Sequence, residues 1–492
     1  MTLADRIHQH AELTPDKIAL HFAGDAITYR QLWNRVVRAE SSLIRQGIGR
    51  GDRVAWLGLN DPALLALLFA SSRIGAIVLP LNYRLTLDEQ MAILTHAQVH
   101  LLLSDDQHHL TAQKLTAHLD DWRQHSDSGQ RADPIAQQAD DLLLVYSSGT
   151  TGQPKGVVHT QAGLQANCQA SQHAHGLTAN DHVLTVLPLF HVGGLCIQTL
   201  PALACGATVT LTARFDPGEW LNDVARQRPT LSLLVPATMR TVIAHPEFEA
   251  ADLSSLRLLN AGSSTIPVSL IDAFHARGVP VCQVYGSTET GPVSIYLQQH
   301  EALDRRGSAG RAGLNVDVRL VGTNGDGVAA GEVGEIWVRA PNVMRAYWRD
   351  AQNPAFQGGW FHSGDLARLD ADGFYWVVGR SKDMIISGGE NIYPAEIENI
   401  LTSCPAIAEV AVTGIPDERW GEVVVAAVVR HAGSVISADE ILALLSGKLA
   451  RFKLPKHVVF VDTLPKTALG KIQKAQLSAD LMRLLGHLPG VR

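Results

Sequence analysis

Short apolar runs alternate with helix-like patterns through the first two thirds of the chain, and this alternation limits the folds it can adopt. Runs such as "RVAWLGL", "AIVLPL", "DDLLLVYSS" and "HVLTVLPL" are apolar without a polar face. Strands that are apolar on both faces are typical of parallel sheets covered by helices on each side. The pattern therefore predicts an α/β fold of layered sheets and helices, with largely parallel strands.

The pattern of apolar and turn residues changes in the C-terminal part of the chain. From about Asp317, "VDVRLVGTNGDGVAAGEVGEIWVRA" reads as two strands around a Gly/Asn/Asp turn and predicts an antiparallel hairpin. After "GRSKDMIISGGENIYP" the chain has its own strand and helix pattern, long enough for a small core. Because 492 residues exceed the size of a single core, we predict one domain over residues 1–380 and another over 381–492, with a hinge near Lys382.

The composition argues against several classes of protein. A net charge of −7 argues against a nucleic-acid partner, which would need a basic face. The start, "MTLADRIHQHAELTPDK", is too polar for a secretory signal, and the apolar stretch at residues 64–81 is interrupted by Arg73 and two serines. A buried helix and strand explain that stretch better than a membrane span. Five cysteines without paired or zinc-like spacing indicate reduced thiols. These features predict a cytoplasmic protein without an integral membrane segment, and a homodimer is compatible with them.

The stretch "YSSGTTGQPKGVVHT" at residues 146–160 follows a buried strand and is dense in hydroxyls and glycines. The backbone N–H groups of such a turn can hold an anion, and a lysine adds a point charge. It is not a Walker loop, because Lys155 is followed by glycine and valine and the glycine spacing does not fit. Taken alone, the turn could equally be a solvated loop without function. The residues predicted to hold phosphate are Ser147, Ser148, Gly149, Thr150, Thr151, Gly152 and Lys155.

Four further stretches support a phosphate-binding role: "PLFHVGG", "QVYGSTETG", "WFHSGDLARLDADGFYWVVGRSKDMIISGGENIYPAEIE" and "LPKTALGKIQK". Together with the loop, and in this order, they resemble the adenylate-forming superfamily of acyl- and aryl-coenzyme A ligases, luciferases and peptide-synthetase adenylation domains. The resemblance covers essentially the whole chain. It implies a large N-terminal domain of layered sheets and helices, with a small β-barrel-like part, and a small mobile α+β C-terminal lid.

The implied reaction has two halves: a carboxylate attacks the α-phosphate of ATP, and a thiol then displaces AMP from the acyl-adenylate. Bringing two anions together requires charge neutralisation and a metal. By resemblance, Ser147 and Glu289 act around Mg²⁺, although the family usually has threonine at the first position. Thr288 would donate to the α-phosphate, and Lys471, in "TALGKI", would bridge the carboxylate and phosphate when the lid closes.

The resemblance also implies how adenosine is held. Tyr285 would stack on adenine, and Gln283 would meet its exocyclic amine, where the family often has a shorter amide. Asp365 would accept both ribose hydroxyls, with Arg380 beside it. The rest of the nucleotide set comprises small or neighbouring residues of the same motifs: Gly262, Ser263, Ser264, Val284, Gly286 and Ser287.

Coenzyme A is the implied thiol. The lid would rotate about Lys382 between the half-reactions, and Gly388 and Gly389 would leave room for the pantetheine arm. Trp420, Lys453 and Lys456 are further candidate contacts for coenzyme A, and each is also compatible with an ordinary lid surface.

His191 would stand at the mouth of the acyl pocket. The other implied lining residues are small or apolar, namely Val192, Gly193, Ala261, Val284, Gly286, Gly291 and Pro292. This lining favours an aromatic or medium-chain acid, although Arg240 could change that if it pointed inward. The alternatives are a dicarboxylate such as succinylbenzoate or malonate, transfer to a carrier-protein thiol, and a nucleotide-binding pseudoenzyme.

Overall fold

The structure is a computed structural model that describes residues 2–123, 136–147, 155–263, 266–350, 352–466 and 471–486. The strands in these ranges, in chain order, are β1 Ile18–Phe22, β2 Asp25–Thr28, β3 Arg53–Leu57, β4 Ile77–Leu81, β5 Leu101–Ser104, β6 Asp141–Ser147, β7 Lys155–Thr160, β8 His182–Thr185, β9 Thr208–Leu211, β10 Leu231–Leu234, β11 Leu258–Gly262, β12 Val281–Tyr285, β13 Ile295–Tyr296, β14 Arg311–Ala312, β15 Asp317–Val321, β16 Val333–Arg339, β17 Ala346–Tyr347, β18 Phe356–Gln357, β19 Trp360–Leu369, β20 Tyr375–Arg380, β21 Ile385–Ser387, β22 Glu390–Ile392, β23 Ile407–Asp417, β24 Gly421–Arg430 and β25 His457–Phe460. The helices are α1 Leu3–Leu13, α2 Tyr29–Arg45, α3 Pro62–Ile74, α4 Leu87–Ala97, α5 His109–Arg123, α6 Gln161–His175, α7 Val192–Gly194, α8 Leu200–Cys205, α9 Pro217–Gln227, α10 Pro236–Ile243, α11 Val268–Ala276, α12 Pro394–Leu401, α13 Ala438–Leu445 and α14 Lys474–Gly486.

Two large sheets form the body of the N-terminal domain. One has the order β14-β13-β12-β11-β10-β8-β9-β1-β2, and the other has the order β17-β7-β6-β4-β3-β5. The central neighbours in both sheets are parallel, as in β8–β9, β10–β11 and β3–β4, whereas antiparallel pairs lie towards the edges. The predicted α/β fold with largely parallel strands is therefore confirmed.

The apolar stretch at residues 64–81 folds as a buried helix followed by a strand. Asp61 caps α3 by accepting from the N–H of Ala63, and Pro62 occupies the first turn, where its missing N–H is not needed. Gly75 ends the helix at φ +74°, in the left-handed region that glycine enters without strain. Nearly every residue of α3 and all of β4 are buried. The interruption by Arg73 thus marks the last turn of a core helix.

A smaller antiparallel sheet follows, with the order β15-β16-β19-β18 and β20 paired to β19. The strands β15 and β16 pair from Asp317 with Arg339 to Val321 with Glu335, which confirms the predicted hairpin. The pairing of β19 with β20 sets Asp365 opposite Arg380. This sheet therefore places two of the predicted site residues opposite each other on neighbouring strands.

The C-terminal domain is built on the sheet β22-β21-β24-β23, with β25 paired to β24. Alternate residues of β24 face opposite sides, as the period of a strand requires. Val424, Ala426 and Val428 pack with α12 and α13, whereas the intervening residues pack with α14. The predicted large and small domains are confirmed, and the exact boundary at residues 380 and 381 remains a prediction.

In the part of the chain that the structure describes, no helix combines the length and the apolar character that crossing a membrane would require.

Candidate active site

The hairpin of β6 and β7 carries the predicted phosphate loop. Leu142 to Val145 are buried between β4 and β7, and the hairpin register pairs Ser147 with Lys155. A buried strand therefore ends at Ser147, where the predicted loop begins, as the sequence predicted. Five residues predicted to contact phosphate, Ser148, Gly149, Thr150, Thr151 and Gly152, lie outside the described residues, and so does Ser264.

Glu289 lies in the turn after β12 and meets this hairpin. Ser147 Oγ donates to Glu289 Oε1 over 3.4 Å, and Tyr347 Oη donates to the same oxygen over 3.2 Å. The N–H of Met344 donates to the Glu289 carbonyl over 2.7 Å. The structure thus brings together the two residues that were assigned to Mg²⁺. It adds Tyr347, which the sequence analysis missed.

Thr288, beside Glu289, is buried, and its carbonyl accepts from His159 Nε2 over 2.8 Å. Burial lowers the pKa of His159 to about 4, so the ring is neutral at pH 7 and can donate through only one nitrogen. His159 stands in β7, four residues after Lys155. The histidine therefore ties the strand that follows the phosphate loop to the turn that carries Thr288 and Glu289.

Asp365 receives hydrogen bonds at both carboxylate oxygens. Arg380 Nε donates to Oδ1 over 2.7 Å, and Tyr285 Oη donates to Oδ2 over 2.9 Å. Asp365 is buried, and its negative charge raises the pKa of Arg380. Burial raises the pKa of Tyr285, and the carboxylate adds to that effect, so the phenol stays protonated as a donor. Three residues predicted to hold adenosine therefore form one connected group.

Lys471, from the C-terminal domain, lies next to this group. Its surroundings lower its pKa, first through loss of hydration and then through the charge of Arg380. The carboxylates of Asp365 and Glu289 act in the opposite direction, and Lys471 in turn lowers the pKa of His191. Lys471 is nevertheless an exposed residue. The lid lysine thus faces both carboxylates that the sequence placed around ATP.

His191 caps the short helix α7, with its Nδ1 accepting from the N–H of Gly193 over 3.0 Å. Burial, with a smaller contribution from Lys471, lowers the pKa of His191 to about 4. The ring is therefore neutral at pH 7 and can lie close to a cationic lysine without repulsion.

The glycines predicted for the acyl pocket, and Gly262 of the nucleotide set, differ in what surrounds them. The nearest neighbours of a Cβ on Gly193 would be the side chains of His191 and Ser263, at 3.0 Å and 3.8 Å. A Cβ on Gly286 would lie 2.5 Å from the backbone of Pro292, and one on Gly291 would lie 2.5 Å from the carbonyl of Asn342. Gly262 is crowded in the same way by the carbonyl of Val284. Close backbone packing alone therefore requires three of these glycines, whereas Gly193 borders side chains of the site.

The other lining residues also fall near one another in the fold. Ala261 and Val284 are buried on neighbouring strands, at the end of one apolar cluster. Ser263 follows at φ +73° and lies near Gly193. Gln283, in β12, is partly buried and pairs with Ala261 of the neighbouring strand. These positions agree with a pocket wall, and the roles of the individual residues remain predictions.

Arg240 lies in the last turn of α10, and a carboxylate of the C-terminal domain affects its pKa. Burial lowers its pKa, and the carboxylate of Glu409, in β23 of the C-terminal domain, partly compensates. Lys466 donates to the same carboxylate over 2.7 Å. Arg240 thus belongs to a cluster of charges at the domain boundary.

The residues predicted for coenzyme A lie together on the lid. The N–H of Gly388 donates to the Trp420 carbonyl over 2.8 Å, and a Cβ on Gly388 would lie 2.8 Å from the Trp420 ring. Lys453 Nζ donates to Glu396 over 2.5 Å, and Lys456 Nζ donates to Asp417 over 3.1 Å. Gly389 completes the turn at φ +87°, and Lys382 is exposed in a single helical turn after β20. Their roles toward coenzyme A remain predictions.

Comparison with known proteins agrees with this geometry. The chain matches the family models "AMP-binding enzyme" over residues 7–348 and "AMP-binding enzyme C-terminal domain" over residues 396–471. An indoleacetate–CoA ligase of Aromatoleum aromaticum is 46% identical, with 96% of this chain and 97% of that protein covered. A feruloyl-CoA synthase of Amycolatopsis is 42% identical, with 95% and 97% covered. The crystal structure of the anthranilate CoA ligase AuaEII with anthranoyl-AMP superposes with a TM-score of 0.89 at 27% identity, covering 98% of this chain and 97% of that one.

The structure brings two carboxylates of the N-terminal domain near a lysine of the C-terminal domain, and the relatives are named as a CoA ligase and a CoA synthase. The class of protein is therefore an AMP-forming acid–thiol ligase. The chain belongs to the AMP-binding enzyme family.

Proposed function

We propose that this protein joins an aromatic carboxylic acid to coenzyme A through an acyl-adenylate formed from ATP. The observation that carries the proposal is the position of Lys471 beside Asp365, Glu289 and Arg380. A cation supplied by the lid at that point serves a reaction that brings a carboxylate to a phosphate. The resemblance to an indoleacetate–CoA ligase, a feruloyl-CoA synthase and an anthranilate CoA ligase supports an aromatic acid.

In the first step, a carboxylate oxygen attacks the α-phosphorus, the bond from that phosphorus to its bridging oxygen breaks, and pyrophosphate leaves. Asp365 holds the ribose hydroxyls, and the hydrogen bonds from Tyr285 and Arg380 orient its carboxylate. Lys471 stabilises the negative charge shared by the two reacting groups. His191, neutral at pH 7, borders the acyl group without adding a second positive charge.

The residues around Glu289 fit Mg²⁺. This hard cation binds proteins through one or two carboxylates and takes its other oxygens from water and substrate phosphates. Glu289 supplies such a carboxylate, and the Ser147 hydroxyl lies 3.4 Å from it at the start of the phosphate loop. Among the described residues, no group of three or more His, Cys, Asp or Glu side chains could hold a metal on its own. Bound there, Mg²⁺ would neutralise charge on the phosphates.

In the second step, the sulfur of coenzyme A attacks the acyl carbon, the bond to the AMP oxygen breaks, and the thiol proton is lost to solvent. We propose that the lid turns about Lys382, which lies in the exposed turn between the sheet of β19 and β20 and the C-terminal sheet. That rotation would remove Lys471 from the cleft and bring Gly388, Gly389 and Trp420 towards the acyl-adenylate.

The substrate is tested by incubating the protein with ATP, Mg²⁺, coenzyme A and a pooled set of acids. The pool contains indoleacetate, cinnamates, benzoates, fatty acids of graded length, malonate and succinylbenzoate, with acyl-coenzyme A detected by mass spectrometry. We expect one aromatic thioester to dominate. A Lys471→Ala variant controls for contaminating ligases, because it should lose the same product.

Other products would contradict parts of the proposal. A dominant fatty or dicarboxylic thioester would overturn the aromatic assignment while leaving the reaction intact. Acyl-adenylate and pyrophosphate without thioester would replace coenzyme A by a carrier-protein thiol.

A further inference from the structure

Tyr347 contacts the metal-binding and the phosphate-binding parts of the site at once. Its hydroxyl donates to Glu289 Oε1 over 3.2 Å, and its ring lies 5.0 Å from Lys155 Nζ. We infer that Tyr347 is a positioning residue that sets both Glu289 and Lys155 for the metal-bound triphosphate of ATP. The inference rests on the proposed function and adds a residue that the motifs do not assign.

The backbone around Tyr347 joins the two parts that its side chain connects. Tyr347 pairs with Val157 in β7, just after the phosphate loop. The N–H of Trp348 donates to the Gly156 carbonyl over 2.6 Å, and the N–H of Met344 donates to the Glu289 carbonyl over 2.7 Å. Residues 344–348 therefore link the strand after the phosphate loop to the turn of Glu289. The backbone that carries the Tyr347 side chain is therefore held by hydrogen bonds to both of these parts.

The hydroxyl fixes the rotation of the carboxylate. Ser147 and Tyr347 both donate to Oε1, and among the described residues the hydrogen bonds to this carboxylate all fall on that oxygen. Oε2 is the oxygen that neither hydroxyl contacts, and in this inference it is the one that meets the metal. Burial and the nearby carboxylate raise the pKa of Tyr347, so the hydroxyl remains a donor throughout the neutral range.

The ring acts on the lysine. Lys155 is the first residue after the loop, and a cation at 5.0 Å from an aromatic centroid is attracted to the ring face. The ring itself is held by an apolar cluster with Val157, Met344 and Phe361. Because that cluster holds the ring, the contact with the ring also constrains the position of the Lys155 ammonium group.

Two substitutions separate the contributions of the hydroxyl and the ring. Tyr347→Phe keeps the ring and removes the donor, whereas Tyr347→Leu removes both. The matched control is Tyr375→Phe. Tyr375 is equally buried, with 8% of its surface exposed, and within the described ranges its hydroxyl donates to a backbone carbonyl alone, that of Val318, over 3.5 Å. The dissociation constant of ATP is measured by calorimetry on each full-length protein, at several Mg²⁺ concentrations and with no acid or coenzyme A present.

We expect Tyr347→Phe to weaken ATP binding about tenfold when Mg²⁺ is present, as for loss of one hydrogen bond to a charged group, and to leave metal-free binding unchanged. Tyr347→Leu should also weaken metal-free binding, about threefold, through loss of the contact with Lys155. In a Glu289→Gln background, Tyr347→Phe should add less than about twofold, because both changes act through one carboxylate. Tyr375→Phe should match the wild type.

Equal weakening with and without Mg²⁺ in Tyr347→Phe would overturn the inference, and so would wild-type binding by that variant. Additive effects in the double variant would overturn it as well. Because no acid or thiol is present, a wrong substrate assignment leaves the test intact. Failure of the wild-type protein to bind Mg²⁺ and ATP would overturn the proposed function together with the inference.

Discussion

Lys471 lies among opposing charges, with Arg380 disfavouring its protonated form and Asp365 and Glu289 favouring it. Such a preorganised cation acts without reorganisation when charge develops in the transition state. We predict that Lys471→Ala slows adenylate formation by a factor of about 10²–10³, on the order of 3–4 kcal/mol. Thioester formation from a supplied acyl-adenylate should be spared. Pyrophosphate release and thioester formation, measured separately, test this prediction.

Lys448→Ala is the control for that substitution, because Lys448 is an exposed lysine of the same domain. It should retain both half-reactions. Equal losses in the two half-reactions of Lys471→Ala would contradict a role confined to adenylation.

Asp365 accepts hydrogen bonds from two side chains, and its charged carboxylate is the group that would bind the ribose hydroxyls. Asp365→Asn removes the charge and places an amide N–H where Tyr285 or Arg380 now donates. We predict about a tenfold rise in the dissociation constant of ATP, as for loss of hydrogen bonds to a charged acceptor. Calorimetric titration with ATP measures it.

The matched control is Asp317→Asn. Asp317 also faces an arginine, Arg339, across a strand pair, but that pair is exposed at the surface. It should bind ATP like the wild type. The role of Asp365 in ribose binding would be wrong if both variants behaved alike.

At the scale of elements, the segment that carries Lys471 is fastened at both ends to the C-terminal domain. Lys466 and Ile472 form an isolated antiparallel bridge at the base of the segment. Lys466 donates to Glu409 over 2.7 Å, and Lys474 donates to Glu398 over 2.8 Å. These contacts set where the lysine can reach when the lid is closed.

We predict that Glu409→Gln slows adenylate formation about two- to fivefold and leaves thioester formation unchanged. The effect is small because half-exposed ion pairs are worth roughly 0–1 kcal/mol. It is directed at one half-reaction because Glu409 also faces Arg240 of the N-terminal domain in this lid position. Asp480→Asn, which removes an exposed pair with Arg483 on α14, is the control. A uniform loss in both half-reactions of Glu409→Gln would indicate a general loss of stability.

At the scale of the whole molecule, buried neutral histidines make the fold sensitive to acid. Burial lowers the folded-state pKa of His159 and of His182 to about 4, from an ordinary value of 6.5. A group with a depressed folded pKa binds more protons when unfolded, so its contribution is complete above pH 6.5 and is lost as the pH falls towards 4. His159 alone should lower the free energy of unfolding by about 2 kcal/mol between pH 7.5 and pH 5.

Urea unfolding at a series of pH values measures this loss. His159→Gln can still donate to the Thr288 carbonyl but does not titrate, so the pH dependence of its stability should be shallower than that of the wild type. An unchanged slope would show that His159 does not contribute to the acid sensitivity.

Residues within continuous motifs were predictable from the sequence. The buried run before Ser147 predicted a strand that ends at the phosphate loop, and the structure has β6 there. Asp365 and Arg380 were assigned to the same ribose, and a short antiparallel turn sets them opposite each other. The strand before Ser147 followed from the apolar pattern of one segment, whereas the joint assignment of Asp365 and Arg380 followed from the resemblance of a continuous motif, and the two residues lie close together along the chain.

Tyr347 was not predictable in this way. It belongs to a two-residue strand whose pattern does not indicate its partners, and its contacts come from β7 and from the turn after β12. The sequence also did not show why glycine is required at Gly286 and Gly291, because only the fold reveals that Pro292 and Asn342 lie too close for a side chain. Arg240 could have pointed into the pocket, and only domain packing shows that it faces Glu409.

The sequence by itself determined the layered α/β class and the smaller C-terminal domain, because hydrophobic period and turn chemistry act along the chain. The residues assigned to ATP came from the resemblance of ordered motifs to a known family, and their roles remain predictions. Only the tertiary structure decided which side chains share an oxygen, which glycines are required by backbone packing and which charges oppose each other around Lys471. Those relations depend on distances between segments far apart in the chain, and packing of the sheets and of the lid sets these distances.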